Sequence, residues 1–350
     1  MMMGKEKLNQ TGFTLLEVMI AMTLGLVLLS GLTTIFVNNS QTYKAIQDAN
    51  RLNENGHYSI QLLTDDLQLA GYFSEFNPSL LSLPAALPDA CSTTLATQIT
   101  ALPLHIQGYN NATNLTKPTC LTEAIKPGTD ILVIRRVSTC VAGSVFCEPI
   151  TSGTPYFQAS TCSNSAELKY PVTTNPADYI NHHFSLDTNL VNLTRLKRDC
   201  TTTADLHRFK THIYFIASNH NSGDGIPTLK RAELTSSGFS IFPLAEGVEN
   251  MQIEYGINDV ANGTPSSFSA APATVSDWSK VVSVKIFLLL RNTTTTQGYI
   301  DSKTYSLDSA GTYINPCSGL TGNALTTCQG YKRHAYRSSV RLNNPSRRRM

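Results

Sequence analysis

From Val18 to Tyr43 the chain carries no charged residue. A membrane span needs roughly 20 predominantly apolar residues. Phe13 to Val37 supplies them, softened by Thr23, Ser30, Thr33 and Thr34. A secretory signal would have an apolar region of only about 7–15 residues and a small-residue cleavage site behind it. This run is longer, and no A-x-A pattern ends it. The segment therefore predicts a single membrane-spanning helix behind a short polar stretch, residues 1–12, in which Lys5 and Lys7 flank Glu6. Glu17 stands at the entrance of the run. A carboxylate in a membrane segment is costly, so such a residue is a functional candidate by default. The plainer reading is a residue in the headgroup layer, where negative charge near a helix N-terminus is favoured.

Beyond Lys44 the pattern turns amphipathic. Ala45, Ala49, Leu52, Gly56, Ile60, Leu63, Leu67 and Ala70 recur at spacings of three and four, with Gln47, Asp48, Arg51, Asn53, Glu54, Gln61 and Asp65 off that row. Gly71 offers a stop and Pro78 excludes continuation soon after. One helix over 13–70 is expected; the alternative is two helices broken near Asn38, and Gly25 and Gly31 are further places for a bend.

The apolar stripe needs a surface to cover. Downstream, "DILVIRRV" from Asp130, "HIYFIAS" from His212, "NMQIEYGI" from Asn250, "VVSVKIFLLLR" from Val281 and "HAYRSSVRLN" from His334 are strand-like in length and in β-branched or aromatic content. Turn residues separate them, and no helical pattern alternates with them. The expected fold class is α+β: a long N-terminal helix, membrane half 13–43 and amphipathic half 44–72, with the second half laid on a mainly antiparallel sheet. The β-rich domain would occupy 73–350, with irregular insertions at about 74–128 and 138–210 that are rich in Pro, Thr, Asn and Cys.

The eight cysteines suit disulfides in an oxidising compartment. Zinc sites usually bring ligands in close pairs, and the tightest spacing here is Cys140 to Cys147. Buried free thiols are the remaining alternative. Eight cysteines allow about 105 pairings, so the framework stays open; Cys317 and Cys328 are the expected pair, closing a short loop before the last strand.

Charge is nearly balanced, 27 basic against 25 acidic residues, which gives no field for nucleic acid. No catalytic, cofactor-binding or metal constellation emerges. "GTP" at Gly153 and "GDG" at Gly223 lack the ending of a phosphate loop. "NHNSGDG" at Asn219 lacks the spaced carboxylates of a calcium loop and reads as a turn. His182 and His183 adjoin, and neighbours on an extended chain point apart. The tail "NNPSRRRM" reads as a solvated terminus.

"TGFTLLEVMIAM" resembles the type III signal of type IV prepilins and pseudopilins: Gly12 before the cut, Phe13 after it, and Glu17 four positions on. The resemblance implies that a membrane prepilin peptidase cuts between Gly12 and Phe13 and methylates the Phe13 amine. Residues 13 and 17 lie one helical turn apart. By the same resemblance, the Glu17 carboxylate would pair with the Phe13 amine of a neighbouring subunit in a filament. Further segments are similar to the PilW family of minor pilins. In "NGHYSIQLLTDDLQLAGYF" the residues Asp66, Leu67, Ala70, Gly71 and Tyr72 match a D-L-R-x-A-G-Y pattern, with Gln68 in place of the basic residue. "GIPTLKR", "PLAEGVENMQIEYGIND", "VVSVKIFLLLRN" and "RHAYRSSVRLNN" follow in the family's order. The cysteine-rich middle matches nothing in the pattern.

What the resemblance implies is a non-enzymatic minor pilin that primes or supports type IV pilus assembly, within a tip-associated complex. Its partners would be the prepilin peptidase, other minor pilins, the major pilin and the inner membrane, with no nucleic acid and no cofactor. It would sit in the inner membrane as a single-pass protein with its C-terminal domain in the periplasm, then on the cell-surface pilus. A minor pseudopilin of a type II secretion system is the alternative. A plain membrane-anchored periplasmic protein that keeps its leader and a secreted enzyme are the further ones.

Overall fold

The computed structural model describes residues 12, 14–164, 183–260 and 262–348. The fold is α+β. Two compact units follow the chain, Met1–Asn50 and Arg51–Met350. One helix, α1 (Leu15–Gln68), has residues in both and runs past Asn38 without a break. Its uncharged part absorbs its hydroxyls internally. Thr33 Oγ1 donates to the Leu29 carbonyl at 2.7 Å, Thr34 to Ser30 at 3.0 Å and Thr42 to Asn38 at 2.9 Å. That is how threonine sits in an apolar helix without an unpaired donor. The helix is long and apolar enough near the N-terminus to cross a membrane. Met19, Ile20, Leu28, Leu32 and Phe36 are all exposed there.

In Arg51–Met350 two antiparallel sheets form the frame. The larger contains β1 (Ile106–Ala112), β2 (Thr129–Val137), β3 (Tyr156–Ala159), β4 (Phe184–Asp187), β5 (His207–Ala217), β6 (Thr228–Thr235) and β7 (Gly238–Glu246). β5 is its axis. One edge pairs with β2; the other pairs with β3 through His207 and Arg208, then with β6 from His212 to Ala217. The second sheet runs β13 (Arg333–Arg341), β10 (Val281–Arg291), β8 (Val248–Ile257), β9 (Ser267–Ser269). A small pair, β11 (Tyr305–Ser306) and β12 (Tyr313–Ile314), completes the strands.

Period-two alternation sorts the strands onto separate cores. Leu132 and Ile134 of β2, Tyr214 and Ile216 of β5, and Val284, Ile286, Leu288 and Leu290 of β10 share one cluster with Leu63, Leu67 and Ala70. The amphipathic half of α1 and both sheets thus share one interior. The odd residues face elsewhere. Ile131, Val133, Ile213 and Phe215 pack under Ala90, Leu121 and Ile125. Phe287 and Leu289 pack under Tyr305 and Leu307. A fourth cluster joins Phe73, Phe76, Phe157, Phe184 and Phe209.

The five expected strand runs are the cores of β2, β5, β8, β10 and β13. The segments read as irregular insertions hold more order than that: β1 and the helix Leu95–Ala101 lie in the first, β3 and β4 in the second. Neither β6 nor β7 stood out as a strand by composition. Pro243 sits within β7 on the rim of the sheet, where a missing N–H costs no ladder bond. All eight cysteines are paired: Cys91–Cys120, Cys140–Cys147, Cys162–Cys200 and Cys317–Cys328, with Cα separations of 5.4, 5.8, 4.9 and 5.8 Å. The first helps hold the loop that roofs β2 and β5.

Candidate functional site

The N-terminus of α1 is built locally. Thr14 stands just before the first helical residue and Glu17 three positions on. The Glu17 amide donates to Thr14 Oγ1 at 3.3 Å, while the Thr14 amide and hydroxyl donate to Glu17 Oε2 at 3.0 and 3.1 Å. This is a reciprocal capping box, in which two orphan donors of the first turn are satisfied. The T-x-x-E spacing of Thr14 and Glu17 is the sequence signal of it. In the single chain the carboxylate therefore caps the N-terminus of α1. Nothing lies within 4 Å of where a Gly12 side chain would be. Phe13 falls outside the described residues, so its amine cannot be placed against Glu17.

At the other end of α1, Asp66 explains why its segment reads as it does. It stands three residues after Leu63, on the side of the helix that packs inward, and is 5% exposed. Three partners from the large sheet converge on it. Arg136 Nε of β2 donates to Oδ1 at 2.6 Å; His212 Nδ1 and Tyr214 OH of β5 reach Oδ2 at 2.6 and 2.8 Å. A carboxylate only accepts, so Nδ1 carries the proton of that imidazole bond. Burial pushes the Asp66 carboxyl up, but His212, Arg136 and Tyr214 together hold it well below its ordinary value. The network continues outward: His212 Nε2 lies 3.7 Å from Glu233 Oε1, and Arg231 reaches Glu233 Oε2 at 3.0 Å. Burial works against the Glu233 anion; the proximity of the His212 imidazole, then of Arg231 and Lys210, outweighs it and brings its pKa down to about 2.

Gly71 and Tyr72 then turn the chain. Gly71 has φ +70°, which favours glycine, and a Cβ there would sit 2.9 Å from that of His105. Its amide donates to the Arg135 carbonyl at 2.9 Å, and the Val137 amide donates to Tyr72 at 2.8 Å. The D-L-x-x-A-G-Y segment is thus a clasp between helix and sheet.

A second buried charge cluster fixes the C-terminal segments. Arg333 of β13, with no exposed side-chain area, forks onto Glu249 of β8 at 2.6 and 3.2 Å and reaches Asp301 at 3.0 Å. At Gly247, φ is +79° and a Cβ would meet the Arg291 carbonyl oxygen at 2.4 Å, so "AEGVEN" needs glycine at its turn from β7 to β8. The tail is not simply solvated. Residues Asn343–Arg348 form a helix in which Ser346 Oγ donates to the Val282 carbonyl at 3.2 Å and Arg348 to that of Gly71 at 2.9 Å.

In "NHNSGDG" the Asp224 carboxylate accepts amides of His220, Asn221 and Ile226 at 3.0, 2.7 and 2.9 Å, so it closes a turn. His182 falls outside the described residues, and His183 is buried. Among the described residues no group of three or more His, Cys, Asp or Glu could hold a metal.

Comparison with known proteins matches residues 213–344 to the family model described as type IV pilus-assembly protein W. Residues 7–33 match the prokaryotic N-terminal methylation motif. No curated protein matches the whole chain or part of it. Among solved structures, a type IV-like pilin from Thermus thermophilus is similar over 84% of this chain and 98% of its own, at 12% sequence identity and a TM-score of 0.34. The first of the two family matches spans β8, β10 and β13 with their Glu249–Arg333 lock, and the second spans the Thr14–Glu17 box. The chain thus carries a C-terminal segment similar to the PilW family and an N-terminal segment similar to the methylation motif.

Proposed function

We propose that this chain is a minor pilin that primes or supports assembly of a type IV pilus within a tip-associated complex of minor pilins. The observation that carries the reading is the pairing of a methylation motif with an exposed, uncharged helix in residues 18–43, continuous in sequence with a helix segment that is clamped into a folded domain. An exposed apolar helix of that length demands either lipid or other such helices around it. A pilin meets both demands in turn, first in the inner membrane and then in the filament core. Residues 1–12 are the leader, Gly12 and Phe13 flank the cut, Phe13 is methylated, and Glu17 guides subunit registration. The partners are the prepilin peptidase, other minor pilins and the major pilin. Four disulfides suit a domain that matures in the periplasm.

Mass spectrometry of the mature protein is the test. The N-terminal peptide is expected to begin at methylated Phe13. Gly12→Asp is expected to leave the leader attached in essentially all molecules, because a carboxylate replaces the smallest side chain beside the scissile bond. Recovery of chains that begin at Met1 from sheared surface filaments would reject the reading.

A further inference from the structure

The loop closed by Cys140–Cys147 carries an aromatic that the fold leaves outside. Phe146 is fully exposed and its neighbour Val145 is 79% exposed. An exposed aromatic on a mobile loop would mean little, but this one is held. The Ala142 amide donates to the Leu206 carbonyl at 2.8 Å and the Gly143 amide to Glu148 at 3.0 Å. The Ser144 amide donates to Val141 at 3.2 Å and the Cys147 amide to Ser144 at 3.0 Å. The disulfide ties the two ends. Phe146 itself has φ +66°, a left-handed conformation that is an outlier for a bulky side chain. A backbone outlier that presents a large apolar group to solvent is the kind of strain that accumulates at functional sites. A pre-ordered aromatic also loses little conformational freedom when it is buried by a partner.

We propose that Phe146, with Val145 beside it, is a recognition knob that inserts into an uncharged apolar socket on a different protein. Charge decides the class of partner. Residues 139–147 carry no charge. The cations nearby are engaged: Arg208 and Lys210 hold Glu148 at 2.7 and 2.9 Å. A lipid surface is bound by apolar groups rimmed with free basic side chains, and this rim is closed. Among the described residues, the clefts at Arg348, at Glu249, at Glu246 and at Asp66 each carry charged side chains, which makes them poor hosts for this knob on a second copy. An aromatic anchor in a desolvated pocket is instead the usual centre of a protein–protein contact.

The proposal rests on the reading above only in placing the domain outside the cytoplasm. The test uses the full-length chain in its own cells. A photoreactive phenylalanine analogue is placed at position 146 and, as a control, at Leu115, which is as exposed but lies on another loop. Position 146 is expected to give one discrete adduct with another protein, and position 115 none. In Phe146→Gly, co-purification of that protein should fall at least tenfold with all four disulfides intact, since glycine suits the left-handed backbone. Phe146→Trp should retain it. An adduct with lipid or with a second copy, equal adducts from both positions, no adduct, or unchanged co-purification in Phe146→Gly would each overturn the proposal. N-terminal processing is measured in the same cells. A lost adduct with methylated Phe13 rejects the knob alone; an intact adduct with an uncut leader rejects the pilin role alone.

Discussion

Asp66→Asn is expected to lower the unfolding free energy of Arg51–Met350 by about 3–5 kcal/mol, the range for removing one partner from a buried ion pair. The amide has nearly the shape of the carboxylate, so packing changes little. What changes is charge. Arg136 loses its buried counter-ion, and the bond from His212 Nδ1 at 2.6 Å loses its charged acceptor. Urea unfolding of the full-length chain in detergent measures the loss. Asp65→Asn is the control: Asp65 is exposed and pairs only with Gln61 at 2.6 Å, so its effect should stay within about 0.5 kcal/mol. Equal stabilities for the two variants would show that the clasp at Asp66 holds nothing.

The same carboxyl sets a pH dependence with a defined sign. Its folded pKa lies below its unfolded value, so its contribution is present above about pH 4 and is lost as pH falls further. Glu233, held at about 2, acts in the same direction. Asp130 opposes them. It bridges the sheets, accepting the Asn111 amide at 2.8 Å and the Ile253 amide at 2.7 Å, and burial outweighs those bonds to raise it to about 6. A raised carboxyl pKa favours the folded state as pH falls from about 6 towards 4. Stability should therefore rise slightly on mild acidification and then fall below about pH 4. In Asp66→Asn the acid limb should flatten, and in Asp130→Asn the rise should vanish.

How much of this could be read from the sequence varied with the physical origin of each element. The helix was legible because its two signals, absence of charge and then a three-four apolar spacing, are periodic and local. Five strands were legible for the same reason. β1 was not: "IQGYNNA" is polar and glycine-bearing, and it becomes a strand only because β2 supplies its partner over Ile106–Tyr109 and Ala112. Gly108 is required there for a non-local reason, since a Cβ would meet the Tyr255 hydroxyl at 1.9 Å. β3 and β4 depend likewise on β5 and on a cluster of phenylalanines far apart in the chain. The Asp66 clasp left a faint trace, an acid three residues from Leu63 on the packed side, but its partners lie about 70 and 146 residues away. Phe146 left no trace at all. A single aromatic in a polar segment ordinarily turns inward, and only its surroundings show that this one does not.

Glu17→Gln is expected to remove the chain from surface filaments, and to cut filament number at least tenfold if the chain primes assembly, while leader removal stays normal. Glutamine keeps the size of glutamate and closes a capping box as well as glutamate does. The bond set at Thr14 therefore survives, and only the charge is lost. Thr14→Ala makes the converse change, because it deletes the hydroxyl that accepts the Glu17 amide at 3.3 Å and leaves the carboxylate in place. If Glu17 acts by pairing with the Phe13 amine of a neighbour, the glutamine variant fails and the Thr14 variant assembles. If Glu17 acts as a helix cap, the pattern reverses. The physical reason to expect the first pattern lies in the surroundings. In the apolar core that such helices form, an amine without its counter-ion is costly to bury. A subunit that enters out of register then strands both charges at once, and glutamine cannot supply that penalty. Filaments are counted after shearing, and the variant is sought in them with an antibody to the folded domain. Normal filament number with the glutamine chain present would leave Glu17 as a cap and nothing more.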